Sequence, residues 1–395
     1  MSEWKKVKFL DVVSLNPRIS LEKGVKYPFV EMSNAVPNAR KPERDVFQVY
    51  TGGGTKFEKG DTVVARIEPC LQNGKGFQCS YERGFGSTEF LVFRPLNTDE
   101  MDSNFLYYYM GQQSIRETMA KTMVGASGRQ RVNNAVFNDL TLFLPPLSTQ
   151  LRIATILSHY DSLIENYQKQ IRLLEEAAQR LYKEWFVDLH FPGHENTKIV
   201  DGVPEGWEKK KVKTLVELQS GYAFKSATFE EEGKYKIVTI KNVKDGIFDE
   251  ENVSYLTVIP DKMPAHCALQ TGDILLSLTG NVGRVCMVIG EDYLLNQRVA
   301  KLKTDYPAFV YCLFRNHDMF VSVNNLANGA AQQNVSPIRI GELDLLIANI
   351  ETMNRFESIT GKIRNKILHL FSQIRLLTEA RDRLLPKLMS GEIAV

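Results

Sequence analysis

The chain has 395 residues, of which 43% are hydrophobic and 24% are charged, and its formal net charge is +2. At about 100–200 residues per domain this length predicts two or three globular domains, and no apolar run approaches the ~18 residues of a membrane-spanning helix. The beginning of the chain lacks the apolar region of a secretion signal, and the five cysteines contain no C-x-x-C pair, so we expect a cytoplasmic protein with neither a disulfide framework nor a zinc knuckle.

The first 145 residues predict a domain of mixed helix and strand. The region is rich in glycine, aromatic and β-branched residues, and it contains short apolar runs at residues 62–65 and 90–93. Such runs are typical of β-strands, whereas residues 105–123 carry a helical pattern. We therefore assign residues 1–145 to a first mixed domain.

A long helix is predicted after this domain. The helical pattern begins after Pro145-Pro146 and covers residues 146–187. Pro192 and Gly193 end it, so we expect residues 188–206 to form a linker.

The second half of the chain predicts the same order of elements. A second mixed domain is expected at residues 207–349, a second long helix at residues 350–390 and a short tail at residues 391–395. Within this domain, strands are predicted at residues 237–240, 274–278 and 285–289, and a helix at residues 308–326.

The two halves are related by an internal repeat. Residues 170–181 and 373–384 share nine of twelve amino acids at an offset of 203 residues. Further matches follow in the same order upstream, such as Gly60-Asp61 with Gly272-Asp273. Shared helical composition alone would not preserve this order, so we predict two related domains.

Both long helices carry the heptad pattern of a coiled coil. Its candidate seam residues are Ile153, Leu157, Tyr160, Ile164, Tyr167, Ile171, Leu174 and Leu181 in the first helix, and Phe356, Ile363, Ile367, Leu370, Ile374, Leu377 and Leu384 in the second. Thr360 and Arg381 interrupt the second stripe. We predict an α+β fold in which two mixed domains, in a pseudo-two-fold arrangement, are separated by two antiparallel helices. The alternative is that each helix lies on its own domain.

The sequence carries none of the common catalytic and cofactor motifs. The chain contains no Asp-Pro-Pro-Tyr or Asn-Pro-Pro-Phe methyltransferase motif, no G-x-G-x-x-G after a predicted strand, and no G-x-x-x-x-G-K-[ST]. His190 and His194 have the spacing of zinc ligands on a helix, but Pro192-Gly193 between them breaks such a helix. We therefore predict a chain without catalytic residues, a metal site or a cofactor of its own.

Polar and basic side chains on predicted loops are candidates for DNA binding, because arginine pairs with guanine and glutamine or asparagine with adenine. In the first domain these candidates are Arg66, Lys75, Ser87, Thr88, Arg129, Gln130, Arg131 and Asn133. In the second they are Lys209, Lys210, Lys211, Tyr222, Lys225, Asn281, Arg284, Gln297, Arg298, Gln332, Gln333 and Asn334. The lysine run suits phosphates. The alternative is that these loops and lysines are ordinary solvated surface.

Several motifs, taken in order, resemble the specificity (S) subunits of type I restriction-modification systems. They are Leu144-Pro145-Pro146-Leu147 followed by Gln150 and Ile153-Ala154, then Leu181-Tyr182 with Trp185-Phe186, Pro204-Glu205-Gly206-Trp207, and Leu388-Met389-Ser390-Gly391-Glu392. The second junction departs from the pattern, because Ala348-Asn349-Ile350 replaces the usual Pro-Pro-Leu and Met353 replaces the glutamine. This departure leaves the start of the second long helix open.

The resemblance implies a non-catalytic DNA-recognition subunit. Each domain would read one half of a bipartite, asymmetric site in double-stranded DNA, and the helices would set the spacer between the halves. The implied partners are two methyltransferase (M) subunits, which hold S-adenosylmethionine, and restriction/motor (R) subunits, which hold ATP and Mg²⁺. The other function class left open is a non-enzymatic scaffold whose two domains bind proteins and whose coiled coil spaces them.

Overall fold

The structure is a computed structural model that describes residues 4–126, 128–250, 253–327 and 333–395. The chain forms two compact units: unit 1 comprises Met1–Glu165 and Leu376–Val395, and unit 2 comprises Asn166–Arg375. Both boundaries fall inside long helices. Each unit therefore combines a mixed domain with part of both helices, whereas the sequence predicted the domains and the helices as separate segments.

Unit 1 contains two four-stranded sheets and one two-stranded sheet. Its elements are β1 (Lys5–Lys8), α1 (Phe9–Val12), β2 (Val13–Leu15), β3 (Lys26–Val30), β4 (Phe47–Val49), β5 (Thr55–Glu58), β6 (Thr62–Ala65), β7 (Gly76–Gln78), β8 (Arg83–Gly86), β9 (Phe90–Pro95), α2 (Ser103–Met110), α3 (Gln113–Ala120), α4 (Val136–Asp139), β10 (Thr141–Leu144) and the first part of α5 (Leu147–Tyr182). The strand orders are β2-β9-β6-β7, β4-β3-β8-β5 and β1-β10, and β3 runs parallel to β8.

Unit 2 repeats this topology. After the end of α5 its elements are β11 (Ile199–Val200), β12 (Val203–Pro204), β13 (Glu208–Lys211), β14 (Glu217–Ser220), β15 (Tyr235–Val238), β16 (Val243–Lys244), β17 (Ile247–Phe248), β18 (Ser254–Leu256), β19 (Ala268–Leu269), β20 (Ile274–Ser277), β21 (Val285–Met287), β22 (Tyr293–Leu295), β23 (Val299–Lys303), α6 (Pro307–Arg315), α7 (His317–Asn325), α8 (Pro337–Gly341), β24 (Asp344–Ile347) and most of α9 (Ile350–Ser390). The orders β14-β23-β20-β21, β18-β15-β22-β19 and β13-β24 match the three sheets of unit 1, and β15 is parallel to β22 as β3 is to β8. The predicted α+β class and the internal repeat are confirmed.

The two helices predicted inside the mixed domains are each broken into two, which corrects the prediction. In unit 1 the break lies at Gly111-Gln112, between α2 and α3. In unit 2 it lies at Asn316, whose extended backbone ends α6 and whose side chain accepts a hydrogen bond from the Asp318 amide at 2.9 Å. An asparagine at this position caps the following helix, so the local sequence favours two short helices.

The long helices bury their apolar stripes against the mixed domain of each unit. In unit 1 Leu157 of α5 and Leu388 of α9 belong to the core around Phe9. In unit 2 Trp185, in a π-helical turn after α5, contacts Phe356 of α9 with ring centroids 5.7 Å apart. None of the fifteen predicted seam residues is exposed. The helices therefore pair with each other and also pack on the mixed domains. The predicted helix pair and its alternative, a helix packed on a domain, are both present.

The start of the second long helix, which the sequence left open, is defined by a cap. The helix α9 begins at Ile350, and the Asn349 side chain accepts a hydrogen bond from the Thr352 amide at 2.9 Å. Asparagine thus satisfies an amide that the first helical turn leaves without a partner. In the described part of the chain no helix is both long enough and apolar enough to cross a bilayer.

Candidate nucleic-acid interface

Three of the predicted loops of unit 1 meet at one junction beside the end of β6. The Arg66 amide donates to the Glu89 carbonyl at 2.8 Å, and the Val132 amide donates to the Arg66 carbonyl at 2.9 Å. The Glu68 amide donates to the Gln130 carbonyl at 3.0 Å. These main-chain hydrogen bonds bring the candidate segments around residues 66, 87–89 and 129–133 together.

Unit 2 contains the same junction with the same main-chain hydrogen bonds. The Leu278 amide donates to the Arg298 carbonyl at 3.0 Å, and the Val335 amide donates to the Leu278 carbonyl at 2.9 Å. The Gly280 amide donates to the Gln333 carbonyl at 2.9 Å. Because the backbone is equivalent, side chains at matching places can be compared directly.

The main difference lies in the side chains of the pair that flanks each junction. In unit 1 the pair is Glu89 and Arg131, and they form a bidentate ion pair with Nε–Oε2 at 2.8 Å and Nη2–Oε1 at 2.6 Å. Hydrogen bonds from Arg131 hold the pKa of the Glu89 carboxyl below its usual value, so this carboxylate is charged at neutral pH. The Arg131 side chain remains 45% exposed.

In unit 2 the matching positions hold Arg298 and Asn334. The Asn334 Oδ1 accepts a hydrogen bond from the Thr279 hydroxyl at 2.9 Å, and both Arg298 and Gln333 are exposed. Among the residues that the structure describes, no carboxylate lies within ion-pair distance of Arg298. Gln332 lies outside the described residues.

Several further candidates lie beside these junctions. In unit 2 Tyr222 forms an isolated parallel β-bridge with Asn296, and the Gln297 amide donates to the Tyr222 carbonyl at 3.0 Å. Thr88, Arg129 and Asn133 of unit 1, and Lys225, Asn281 and Arg284 of unit 2, are exposed, whereas Arg66, Ser87, Gln130 and Tyr222 are half-buried. The main-chain hydrogen bonds thus bring together the candidate segments around residues 66, 87–89 and 129–133 in unit 1, and those around residues 222, 280, 297–298 and 333–334 in unit 2.

The three-lysine run does not join this surface. Lys209, Lys210 and Lys211 lie on β13, which pairs with β24 in a separate sheet. The Nζ of Lys210 is 2.9 Å from Glu208, and that of Lys211 is 2.8 Å from Asp344. These acids neutralise two of the three charges, which favours the solvated-surface alternative over phosphate binding.

Lys75 lies at the same end of β6, on its β7 side. Its carbonyl accepts a hydrogen bond from the Ala65 amide at 2.9 Å, whereas the next amide, that of Arg66, bonds Glu89 on the β9 side. The Lys75 Nζ donates to the Met32 carbonyl at 3.0 Å, so this ammonium group already has a main-chain partner.

Sequence reasoning missed a buried polar network between the helices of unit 1. Asp161 of α5 and Arg381 of α9 form an ion pair at 2.7 Å, and the Tyr108 hydroxyl donates to Asp161 at 2.5 Å. Burial and the Asp161 carboxylate raise the pKa of Tyr108 far above its usual value, which keeps its proton in the hydrogen bond. The sequence carried a signal for this network, because Arg381 is a charged residue in a stripe that is mostly apolar.

Unit 2 has a corresponding network whose charged side chains come from different elements. Glu175 of α5 pairs with Arg315 of the mixed domain at 2.8 Å, and Tyr311 donates to the same carboxylate at 3.0 Å. At the offset that aligns Phe105 with Phe309, Arg315 takes the place of Gly111. The ion pair therefore joins a long helix to the mixed domain in unit 2, but one long helix to the other in unit 1.

This exchange changes the space beside the helices. Unit 1 has an open pocket of about 340 Å³ lined by Tyr107, Gly111, Asp161 and Arg381 among others. The matching space in unit 2, lined by Tyr311, Arg315 and Arg364 among others, has a volume of only about 10 Å³. The Arg315 side chain occupies the space that Gly111 leaves open.

The described residues contain no cluster arranged for metal binding. No group of three or more histidine, cysteine, aspartate or glutamate side chains is positioned to hold an ion in this part of the chain. The Nδ1 atom of His190 lies 3.0 Å from Glu184, and that of His194 lies 2.9 Å from the Phe191 carbonyl. Each ring therefore already has a local hydrogen-bond partner.

Comparison with known proteins adds a family to this geometry. The family model of the type I restriction modification DNA specificity domain matches the chain twice, at residues 1–176 and 204–379. The MjaIX specificity subunit of Methanocaldococcus jannaschii is 26% identical over 313 residues, which cover 75% of this chain and 70% of the relative. The HindI specificity subunit of Haemophilus influenzae is 21% identical over 402 residues, covering 85% of this chain and 87% of the relative.

A solved structure shows the same fold. The crystal structure of the type I restriction-modification S subunit from M. genitalium aligns with a TM-score of 0.54 and 18% sequence identity. The alignment covers 98% of this chain and 96% of that one. At 18% sequence identity, this comparison supports a shared fold and nothing further.

Proposed function

The chain belongs to the type I restriction-modification DNA specificity family, and from this membership we propose that each unit reads one half of a bipartite site in double-stranded DNA. The observation that carries the proposal is the double match of the family model, one match for each mixed domain. The two equivalent junctions with different exposed side chains support it. Related backbones with different reading residues suit an asymmetric site, in which each half has its own sequence.

We infer that the long helices set the distance between the two half-sites. The helix α5 has 36 residues and contributes to both units, as does α9 with 41 residues. A 36-residue helix is about 54 Å long at 1.5 Å per residue. Half-site centres one helical turn of DNA apart, about 34 Å, would leave an unread spacer of roughly 5–8 base pairs.

An insertion tests this role of the helices. Four residues added after Lys169 lengthen α5 by about one turn and leave the junction loops unchanged. We expect the preferred spacer to lengthen while both half-site sequences stay the same. Unchanged preference for the original spacing would show that another part of the protein holds this distance.

We propose two methyltransferase subunits as partners, one for each copy of a duplicated helix surface. This surface consists of Leu173, Glu176 and Arg180 in unit 2, and of Leu376, Glu379 and Arg383 in unit 1. Leu173 is 55% exposed and Leu376 is 52% exposed. Core packing does not account for identical side chains at exposed positions of two diverged repeats. If two copies of one partner each bind one of these surfaces, the two surfaces must carry the same side chains.

In this proposal the chain supplies recognition and the partner subunits supply chemistry. S-adenosylmethionine belongs to the methyltransferase subunits, and ATP and Mg²⁺ belong to the restriction/motor subunits. The complex acts on DNA, so we place it in the cytoplasm. Turnover of S-adenosylmethionine by the purified chain without partners would contradict the division of roles.

The deciding experiment maps methylated adenines in DNA exposed to the assembled complex. We expect one bipartite sequence with two fixed halves and a fixed unread spacer. Salt-dependent and sequence-selective retention of a duplex with this site should accompany it, because phosphate contacts release counterions. Absence of selective retention would instead favour the bivalent protein scaffold.

A further inference from the structure

A carboxylate stands beside the candidate reading surface of unit 1, where DNA phosphates would repel it. Glu89 is 22% exposed in its side chain and faces Arg131 across the junction. An arginine that only anchors a phosphate gains nothing from a neighbouring carboxylate, since the pair carries no net charge. The carboxylate therefore needs another explanation.

We propose that Glu89 is a positioning residue that orients Arg131 to read a guanine base edge instead of binding a phosphate. The inference rests on the proposed function and adds a specificity role within the unit 1 half-site. Guanine presents two acceptors, O6 and N7, in the major groove, and a guanidinium fixed in direction pairs with both.

The hydrogen-bond inventory leaves the required edge available. An arginine has five N–H donors. Glu89 accepts from Nε and from Nη2, at 2.8 and 2.6 Å, and the Nη1 atom lies 3.4 Å from the Arg129 carbonyl. The Nη1 and Nη2 atoms still carry donors on the side away from Glu89, and these form the end-on pair that bidentate recognition uses.

The backbone makes the orientation rigid. Arg66 follows the last residue of β6 and is held on both sides. Its amide donates to the Glu89 carbonyl at 2.8 Å, and its carbonyl accepts from the amide of Val132, the neighbour of Arg131, at 2.9 Å. Arg131 also pairs with Val124 and Ile67 as isolated bridges. Both partners of the ion pair are thus held by main-chain contacts, so the guanidinium points in one direction before DNA arrives.

Unit 2 supplies the matched control. Arg298 occupies the place of Glu89, and among the described residues it has no carboxylate partner. An exposed arginine without such a partner suits a phosphate, whose contact adds affinity for all sequences. We therefore expect opposite results for the two arginines in one binding assay: Arg131 contributes selectivity, and Arg298 contributes affinity for all sequences.

The experiment measures binding of the assembled complex to its mapped site at several salt concentrations. The duplexes carry the site and its single-base-pair variants in each half. Glu89→Gln releases a cation, so we expect the slope of log K against log salt to steepen by about 0.9. Selectivity at one guanine-containing base pair of the unit 1 half-site should fall about 10- to 100-fold.

The double variant Glu89→Ala with Arg131→Ala separates charge from orientation. It leaves the net charge unchanged, so we expect an unchanged salt slope with the same loss of selectivity as in Glu89→Gln. Arg298→Ala should lower affinity for all sequences and make the salt slope shallower by about 0.9, with selectivity retained. Unchanged selectivity in the unit 2 half-site should show that the effect of the Glu89 and Arg131 variants is confined to unit 1.

Two outcomes would overturn the inference. One is full selectivity in Glu89→Gln with only a steeper salt slope, which would reduce Glu89 to a charge. The other is a uniform loss of affinity on all sequences in the double variant. Failure of the unmodified complex to distinguish its site from a scrambled duplex would instead refute the proposed function.

Discussion

The two units hold their helices with the same kinds of side chain drawn from different elements. In unit 1 the arginine comes from the opposite long helix, as Arg381 pairs with Asp161. In unit 2 it comes from the mixed domain, as Arg315 pairs with Glu175. A duplicated fold thus preserved a buried ion pair with a tyrosine donor while the positions of its charges moved. What was retained is the neutralisation of a buried carboxylate, because an unpaired one would be strongly unfavourable.

The largest expected effect comes from Arg381→Ala. The change leaves Asp161, whose side chain is 6% exposed, without its cation. We expect unit 1 to lose about 3–5 kcal/mol of unfolding free energy, seen as faster hydrogen–deuterium exchange in its part of α5. The control is Arg383→Ala, because that arginine is 78% exposed and its pair is worth less than about 0.5 kcal/mol. Equal effects of both changes would show that the buried pair is unimportant.

Arg315→Ala is expected to act next most strongly, and in unit 2. It leaves Glu175, 16% exposed, without its cation, and of its two partners named above the Tyr311 hydroxyl remains. We expect a loss of about 3 kcal/mol, at the lower end for a broken buried pair because Glu175 is less buried than Asp161. Hydrogen–deuterium exchange should accelerate in α6 and spare unit 1. Acceleration limited to unit 1 would contradict the assignment of this network.

Gly111→Arg tests whether the open pocket can be closed as it is in unit 2. Gly111 has φ −75°, which any residue adopts, and a Cβ atom there would meet only carbonyl oxygens of Tyr107 and Tyr108 at 3.5 Å. We expect the unfolding free energy to change by less than about 1 kcal/mol. The chemical denaturation midpoint of the variant checks this. A strongly destabilised variant would show that the pocket shape of unit 1 is required.

The smallest effect concerns the ion pair at the unit 1 junction. Arg131 lowers the pKa of Glu89 in the folded state, so its contribution is present above the ordinary glutamate pKa of about 4.3 and is lost as pH falls. Since the pair is partly exposed and screened by solvent, we expect this contribution to stability to be small. The difference in stability between the unmodified chain and Glu89→Gln, measured from pH 6 to 3, should shrink on acidification. A constant difference would mean that the carboxylate charge does not contribute.

Much of the fold was predictable because local patterns report it. The offset of 203 residues and the heptads describe a repeat and two long helices without reference to distant contacts. The breaks at Gly111 and Asn316 were missed because the apolar pattern continues through both residues. Only the cap geometry at Asn316 and the turn after Gly111 separate the short helices.

The candidate site was predictable only at the level of loops. Polar loop composition located the segments at each junction. The same reasoning also selected the lysine run on β13 for DNA binding, and only the folded chain shows that Glu208 and Asp344 pair with two of its lysines. The pairing of Glu89 with Arg131 joins residues 42 positions apart, and that of Glu175 with Arg315 joins a long helix to the mixed domain that follows it. Such partners follow from the folded chain, because no local pattern records which charge a side chain meets.

The discontinuous composition of unit 1 bears on the order in which a ribosome delivers its parts. Unit 2 is one continuous stretch, Asn166–Arg375, whereas unit 1 needs Leu376–Val395 to meet residues made long before. Asp161 and Arg381 are 220 positions apart. At about 5–20 residues per second, Asp161 waits roughly 10–40 seconds for its cation. During translation the domain that begins first therefore finishes last, and until then the first part of α5 offers an unpaired carboxylate and an uncovered apolar stripe to whatever binds nascent chains.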